Sequence, residues 1–344
     1  MERKKIFNVY GDDSISNRRM IGGNVTNLFN LNNVKYNWAN KLYRVMMENF
    51  WIPEKVSLFD DKRCYAELSA GEKNTYDGIL SFLVFLDSIQ TNNLPNISEY
   101  ITAPEVNLIL AIQTYQEAVH SQSYAYIIES VVPAEQRNII YEKWREDPVL
   151  LERNQYIANI YQQFLDDKTE KNFARVLVAN FLLEGVYFYN GFNFFYNLAS
   201  RSLMLGTADE IKYINRDELV HCVIFANIIK EIWKTHPHFF DETEVRDMFR
   251  EAAEREMAWS NHIIGDRIVG INKETTEQYT KFIVNQRLQE IGLEPMYKGY
   301  DKNPYPQYEK IADTKGEGNV KGNFFEVNIS SYNQSSAVEG WDEI

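Results

Sequence analysis

Four acidic side chains stand where a helical core should be apolar, and two of them are followed three residues later by histidine. Asp87 lies in SFLVFLDSIQ, Glu117 and His120 in YQEAVHSQSYAYI, Glu184 in VANFLLEGVYFYNGF, and Glu218 and His221 in RDELVHCVIF. An ionised carboxylate buried in such surroundings is costly unless a cation or a hydrogen-bond network meets it. Lys and Arg are scarce around these positions, so salt bridges account for them poorly. Metal accounts for them better.

A single Glu-x-x-His recurs easily by chance and, alone, reads as a solvated Glu beside a core His. Here the pattern occurs twice in a chain with only five histidines. Positions i and i+3 are separated by about 60° around an α-helix, and i and i+4 by about 40°. Glu117, His120 and Tyr124 therefore share one face. Two single carboxylates plus two Glu-x-x-His pairs match the inward-facing donor set of dimetal helix bundles. Four carboxylates balance two divalent cations, so the whole site can be buried without net charge. Oxygen-rich ligation with one imidazole per metal suits iron or manganese better than zinc.

The rest of the chain supports an all-α, long-helix bundle of the ferritin-like kind. The segments EKNTYDGILSFLVFLDSIQ, NFARVLVANFLLEGVYFYNGFNFFYNLASR and ADEIKYINRDELVHCVIFANIIKEIW run about 20–30 residues each, roughly twice the usual helix length. Helix starts are expected at Ser69/Glu72, Thr102/Glu105 and Thr207/Glu210, which have capping-box spacing, and at Asp241/Glu244. Residues 1–33 are polar and Asn-rich, so the ordered core is expected from Val34 through residue 298. From 299 to 344 the composition turns to Gly, Asn, Pro and Ser, and a flexible C-terminal tail is expected.

Bulk composition bounds the function classes. The 344 residues carry 44% hydrophobic and 14% aromatic side chains, enough for a substantial core. A net charge of -13 argues against nonspecific nucleic-acid binding. Cys64 and Cys222 match no disulfide or zinc spacing. MERKKIFNVYG lacks the apolar run of a signal peptide, and no window suggests a membrane span. A cytoplasmic protein with reduced thiols is the expectation.

The stretches NFWIPEKVSL, FLDSIQ, EAVHSQSY, FLLEG, NRDELVH and the terminal SSY together resemble the small, radical-generating (beta) subunit of class I ribonucleotide reductase, over nearly the whole chain. The resemblance implies that Asp87, Glu117, His120, Glu184, Glu218 and His221 hold two metal ions, and that Tyr124 carries a tyrosyl radical. It implies an apolar wall for that radical at Phe188, Phe192 and Ile214, and a radical-transfer route through Trp51, Asp217 and Tyr332. Dinuclear iron is expected, with manganese and a flavodoxin-like activator as the other option; Gln116 stands where the manganese-using branch often has Met. The implied partners are the large subunit, docked through the C-terminal tail, and a second copy in a homodimer. The implied activity is ribonucleoside-diphosphate reduction, which supplies deoxyribonucleotides for DNA replication. Two other readings remain open from the residues: a ferritin-like dimetal oxidase or iron-binding protein without radical transfer, and a silent scaffold whose buried acids are protonated.

Overall fold

The computed structural model describes residues 1–312. Among the described residues the architecture is all-α, with two isolated β-bridges, Ile21–Ile101 and Ile268–Ile271. The helices are α1 (Asn37–Glu48), α2 (Phe59–Glu67), α3 (Ala70–Ser98), α4 (Pro104–Val131), α5 (Ala134–Glu146), α6 (Pro148–Asp166), α7 (Glu170–Leu182), α8 (Tyr189–Ser200), α9 (Leu205–Thr235), α10 (Glu242–Ile263), α11 (Lys273–Glu290) and α12 (Pro306–Ala312).

Three long helices dominate: α3, α4 and α9, of 29, 28 and 31 residues. Helix α3 packs along α4, and α9 lies against both α4 and α7. Leu83 and Leu86 of α3, Ile109 of α4, Leu177 of α7, and Ile224 and Ile228 of α9 are inaccessible to solvent. Burying each such side chain contributes about 1.5–3 kcal/mol. That apolar frame is what can carry a costly polar cluster at its centre.

The helix starts divide by what else lies nearby. Ser69 caps α3 with Glu72 in a reciprocal capping box, and Asp241 caps α10 through the Thr243 and Glu244 amides. The other two expected boxes do not form, because each Thr and Glu has a stronger long-range partner. At α4 the helix begins at Pro104, while Thr102 bonds to Arg19 and Gly23. Glu105 instead accepts the Lys35 and Tyr36 amides and pairs with buried Arg18 at 3.0 Å. At α9 the cap comes from Asp61 on α2, which accepts from the Gly206 and Thr207 amides and the Thr207 hydroxyl. Glu210 is left to the Ser123 hydroxyl of α4.

The segment expected as one helix around Glu184 is broken. Between α7 and α8, Leu183–Tyr187 forms one turn of π-helix. Gly185 in this turn lets Arg287 approach closely, since a Cβ there would meet the Arg287 side chain at 2.7 Å. Arg287 in turn donates to the Gly185 carbonyl at 3.0 Å and to the Tyr189 hydroxyl at 2.8 Å. A π-turn advances the side chains out of the 3.6-residue register, and such turns gather at functional positions.

Both ends carry buried groups of their own. Arg18, Met20, Ile21 and Val25 are buried before Val34. Beyond Gly299, Tyr305 and Tyr308 are buried, and α12 packs against α8, so the packed body extends past the boundary expected at residue 298.

Candidate metal centre

The four acidic positions and two histidines converge from four elements. Asp87 comes from α3, Glu117 and His120 from α4, Glu184 from the π-turn, and Glu218 and His221 from α9. All six are inaccessible to solvent. Their ligand-capable atoms form two overlapping groups, Asp87/Glu117/His120/Glu218 and Glu117/Glu184/Glu218/His221, each with its atoms within 4.8 Å of one another. Glu117 and Glu218 belong to both groups.

Both imidazoles present Nδ1 to the cluster. His120 Nδ1 lies 3.0 Å from Glu218, 3.5 Å from Glu117 and 3.7 Å from Asp87. His221 Nδ1 lies 3.1 Å from both Glu117 and Glu218 and 3.6 Å from Glu184. On the far side, His120 Nε2 faces Asp217 at 3.4 Å, and His221 Nε2 faces the side-chain oxygen of Gln116 at 3.0 Å.

Both oxygens of Asp87 and of Glu117, one each of Glu184 and Glu218, and Nδ1 of His120 are buried without a hydrogen-bond partner. Buried polar atoms are rarely left so. Here they all face one another, and the donor set fits a pair of divalent cations.

The electrostatics carry the same message. Burial, then the charge of Glu117, holds the Asp87 carboxyl well above its ordinary range, and burial with Glu184 and Glu117 does the same to Glu218. Burial also works against ionising Glu117, yet His221 and His120 hold it down at about 2. The histidines are raised despite burial: Asp217 and Glu117 act on His120, and Glu117 and Glu184 act on His221. Four carboxylates this close cannot all stay ionised without positive charge between them. Protons and imidazolium ions are the fallback; divalent cations do the job fully.

Tyr124 follows His120 by one turn and is fully buried. Its hydroxyl has no partner at hydrogen-bonding geometry, and burial followed by the Asp87 charge raises its pKa well above the usual value. Phe188, Phe192 and Ile214 are buried, the two rings 5.8 Å apart. Trp51 donates to Asp217 at 3.0 Å, stacks on Tyr213 at 5.2 Å, and has its ring 6.3 Å from that of His120. Tyr332 lies outside the described residues.

With that geometry fixed, the profile of the family "Ribonucleotide reductase, small chain" matches residues 28–304. The chain belongs to this family. Among its relatives is the ribonucleoside-diphosphate reductase subunit beta of Treponema pallidum, 46% identical over 341 residues, 98% of this chain and 97% of the relative. The ribonucleotide reductase R2 subunit from Clostridium botulinum superposes with a TM-score of 0.88 at 47% identity, covering 91% of this chain and 99% of that one. The dimanganese(II)-NrdF of Streptococcus sanguinis superposes with a TM-score of 0.73, covering 83% of this chain and 99% of that one; at 20% identity this is a likeness of fold alone.

This small-chain member also has site residues that sequence reasoning passed over. Gln90 and Gln113 both donate to Oε1 of Glu184, Gln113 at 2.8 Å, and the Tyr161 hydroxyl donates to Gln90 at 2.8 Å. Arg216 reaches the Asn49 carbonyl at 2.6 Å and the second oxygen of Asp217 at 3.3 Å. A signal existed for the two glutamines: Gln90 stands at i+3 from Asp87, and Gln113 at i−4 from Glu117. Both therefore share the ligand faces of their helices.

Proposed function

We propose that this chain is the small subunit of a ribonucleoside-diphosphate reductase: it stores a radical on Tyr124 beside a dimetal site and passes it to a large catalytic subunit. The observation that carries the reading is the pair of overlapping buried donor sets, each of three carboxylates and one imidazole, with a fully buried tyrosine one turn away. Asp87, Glu117, Glu218 and His120 would hold one ion, and Glu117, Glu184, Glu218 and His221 the other. The bound pair supplies the oxidising equivalents, drawn from oxygen or an oxygen-derived oxidant, that remove one electron from Tyr124.

The protein's own residues do the rest. Tyr124 would give up its electron to that oxidant and its phenolic proton to Asp87, the carboxylate that acts most strongly on its hydroxyl. Phe188, Phe192 and Ile214 keep water and reductants from the oxidised ring. Asp217 orients His120 and takes the Trp51 indole hydrogen on the same oxygen, Oδ2, joining the site to Trp51. From Trp51 the radical would pass reversibly through Tyr332 to the partner, which binds the ribonucleotide.

Iron is the proposed metal, with Gln116 beside Glu117 as the ground for preferring it to manganese. The C-terminal tail, 299–344, is proposed to dock on the large subunit through Phe324, Phe325, Val338, Trp341 and Ile344, and the small subunit to act as a homodimer in the cytoplasm. A ferritin-like oxidase without radical transfer draws no support from the family to which the chain belongs.

Loading metal-free protein with Fe(II) and then oxygen should give two irons per chain and a radical signal. Success only with Mn(II) and a reduced flavoprotein would overturn the iron assignment. Removal of the residues after Ser336 should abolish complex formation while leaving the metals bound. Normal binding and activation of the large subunit by the truncated protein would remove the docking role.

A further inference from the structure

The two halves of the site are built from the same ligand types but are supported differently. Behind His120 stands a carboxylate, Asp217, at 3.4 Å from Nε2. Behind His221 stands a neutral amide: the Gln116 side-chain oxygen, 3.0 Å from Nε2. An amide oxygen only accepts, so Nε2 carries the hydrogen and the Nδ1 lone pair is turned toward Glu117, Glu184 and Glu218. Gln116 is itself buried, so its amide does not trade this bond for water.

The single carboxylates differ in the same direction. Both oxygens of Asp87 are free of hydrogen bonds. Oε1 of Glu184 accepts from Gln90 and from Gln113, and those donors draw charge away from the carboxylate. An anionic acceptor behind an imidazole makes it a stronger ligand than a neutral one does, and outer partners of this kind change metal affinity by about 10–100-fold. In the Asp87/His120 half both effects strengthen donation. In the Glu184/His221 half both weaken it.

We propose that Gln116 is a positioning residue that fixes His221 with Nδ1 toward the cluster and, by being neutral, makes the Glu184/His221 half the weaker of two unequal metal positions. This inference rests on the dimetal reading above. Its consequence is ordered filling, with the position nearest Trp51 and Asp217 taken first.

The full-length, metal-free protein titrated with Mn(II), with free Mn(II) followed by electron paramagnetic resonance, separates the two ideas. Wild type should bind two ions in two steps whose affinities differ by about tenfold or more. Gln116→Leu should weaken the second step by about tenfold and leave the first unmoved. Gln116→Glu, which restores an anionic acceptor, should tighten the second step and bring the two together. Opposite shifts from the two substitutions, with unchanged circular dichroism of the metal-free proteins, are not what a merely structural role would give. Fewer than two ions on wild type would overturn the dimetal reading itself. Two equal steps in wild type, or a second step indifferent to both substitutions, would overturn the role of Gln116 and leave the dimetal reading standing.

Discussion

The Trp51 indole nitrogen donates to Oδ2 of Asp217 at 3.0 Å, and that same oxygen faces Nε2 of His120 at 3.4 Å. One carboxylate oxygen thus joins a half-buried aromatic, 166 positions away in sequence, to a ligand in the centre of the bundle. Asp217→Asn keeps an oxygen in place but removes the charge. The substituted protein should still bind two ions, with the tighter step weakened by about tenfold, and turnover with the large subunit should be nearly lost. Mn(II) titration and a nucleotide-reduction assay check this, and unchanged turnover would detach Asp217 from the transfer route.

The acid Asp77 on α3 gives a prediction about stability. Burial pushes its carboxyl up to about 6 from an ordinary 3.8, while the Tyr65 hydroxyl and two lysines oppose the shift. Folding therefore takes up a proton at this group, so its contribution favours the folded state at low pH and is lost as pH rises through about 6. Asp77→Asn keeps an acceptor for Tyr65 and removes the burial penalty on the charge. At pH 7.5 it should stabilise by about 1–3 kcal/mol, since a tenfold change in proton affinity is worth about 1.4 kcal/mol. At pH 4 the gain should nearly vanish. Thermal unfolding at both pH values tests this; an equal effect at the two would show that proton uptake at Asp77 is not the cause.

Away from the metals, Arg153 and Glu256 form a buried ion pair at 2.7 Å. Asn190 donates to the second Glu256 oxygen, and the Tyr187 carbonyl accepts from Arg153. Removing one partner strands a buried charge, so Arg153→Met should destabilise by about 3–5 kcal/mol. The double change Arg153→Met with Glu256→Leu should cost less than that single one. Urea unfolding of wild type, Arg153→Met, Glu256→Leu and the double variant forms the cycle, and strictly additive losses would mean the two charges are not coupled.

Much of this was readable in the residues because the ligands are chemically expensive. A carboxylate in SFLVFLDSIQ or VANFLLEG has to be explained, and the i, i+3 spacing of Glu117/His120 and Glu218/His221 aligned their faces before any fold was known. What stayed hidden depends on contacts distant in sequence. Asp61 caps α9 from α2, and Arg18 claims Glu105 from the N-terminal segment; neither leaves a local pattern. The π-turn at Leu183–Tyr187 likewise lies against Arg287 of α11, which donates to the Gly185 carbonyl, a contact that no local pattern announces. Gln116 stood in plain view beside Glu117, but which histidine it would face required the packing of α4 on α9.

Whether Tyr124 is the radical site is decided by comparing wild type with Tyr124→Phe, each loaded with Fe(II), exposed to oxygen, and measured for bound iron, radical signal and nucleotide reduction with the large subunit. Tyr124 shares the helix face of Glu117 and His120 and is not among the six proposed ligands. Both proteins should therefore hold two irons per chain, with the radical signal and the turnover present only in wild type. A Tyr124→Phe protein that still drives nucleotide reduction would contradict this, and would place the oxidising equivalent on the metals alone.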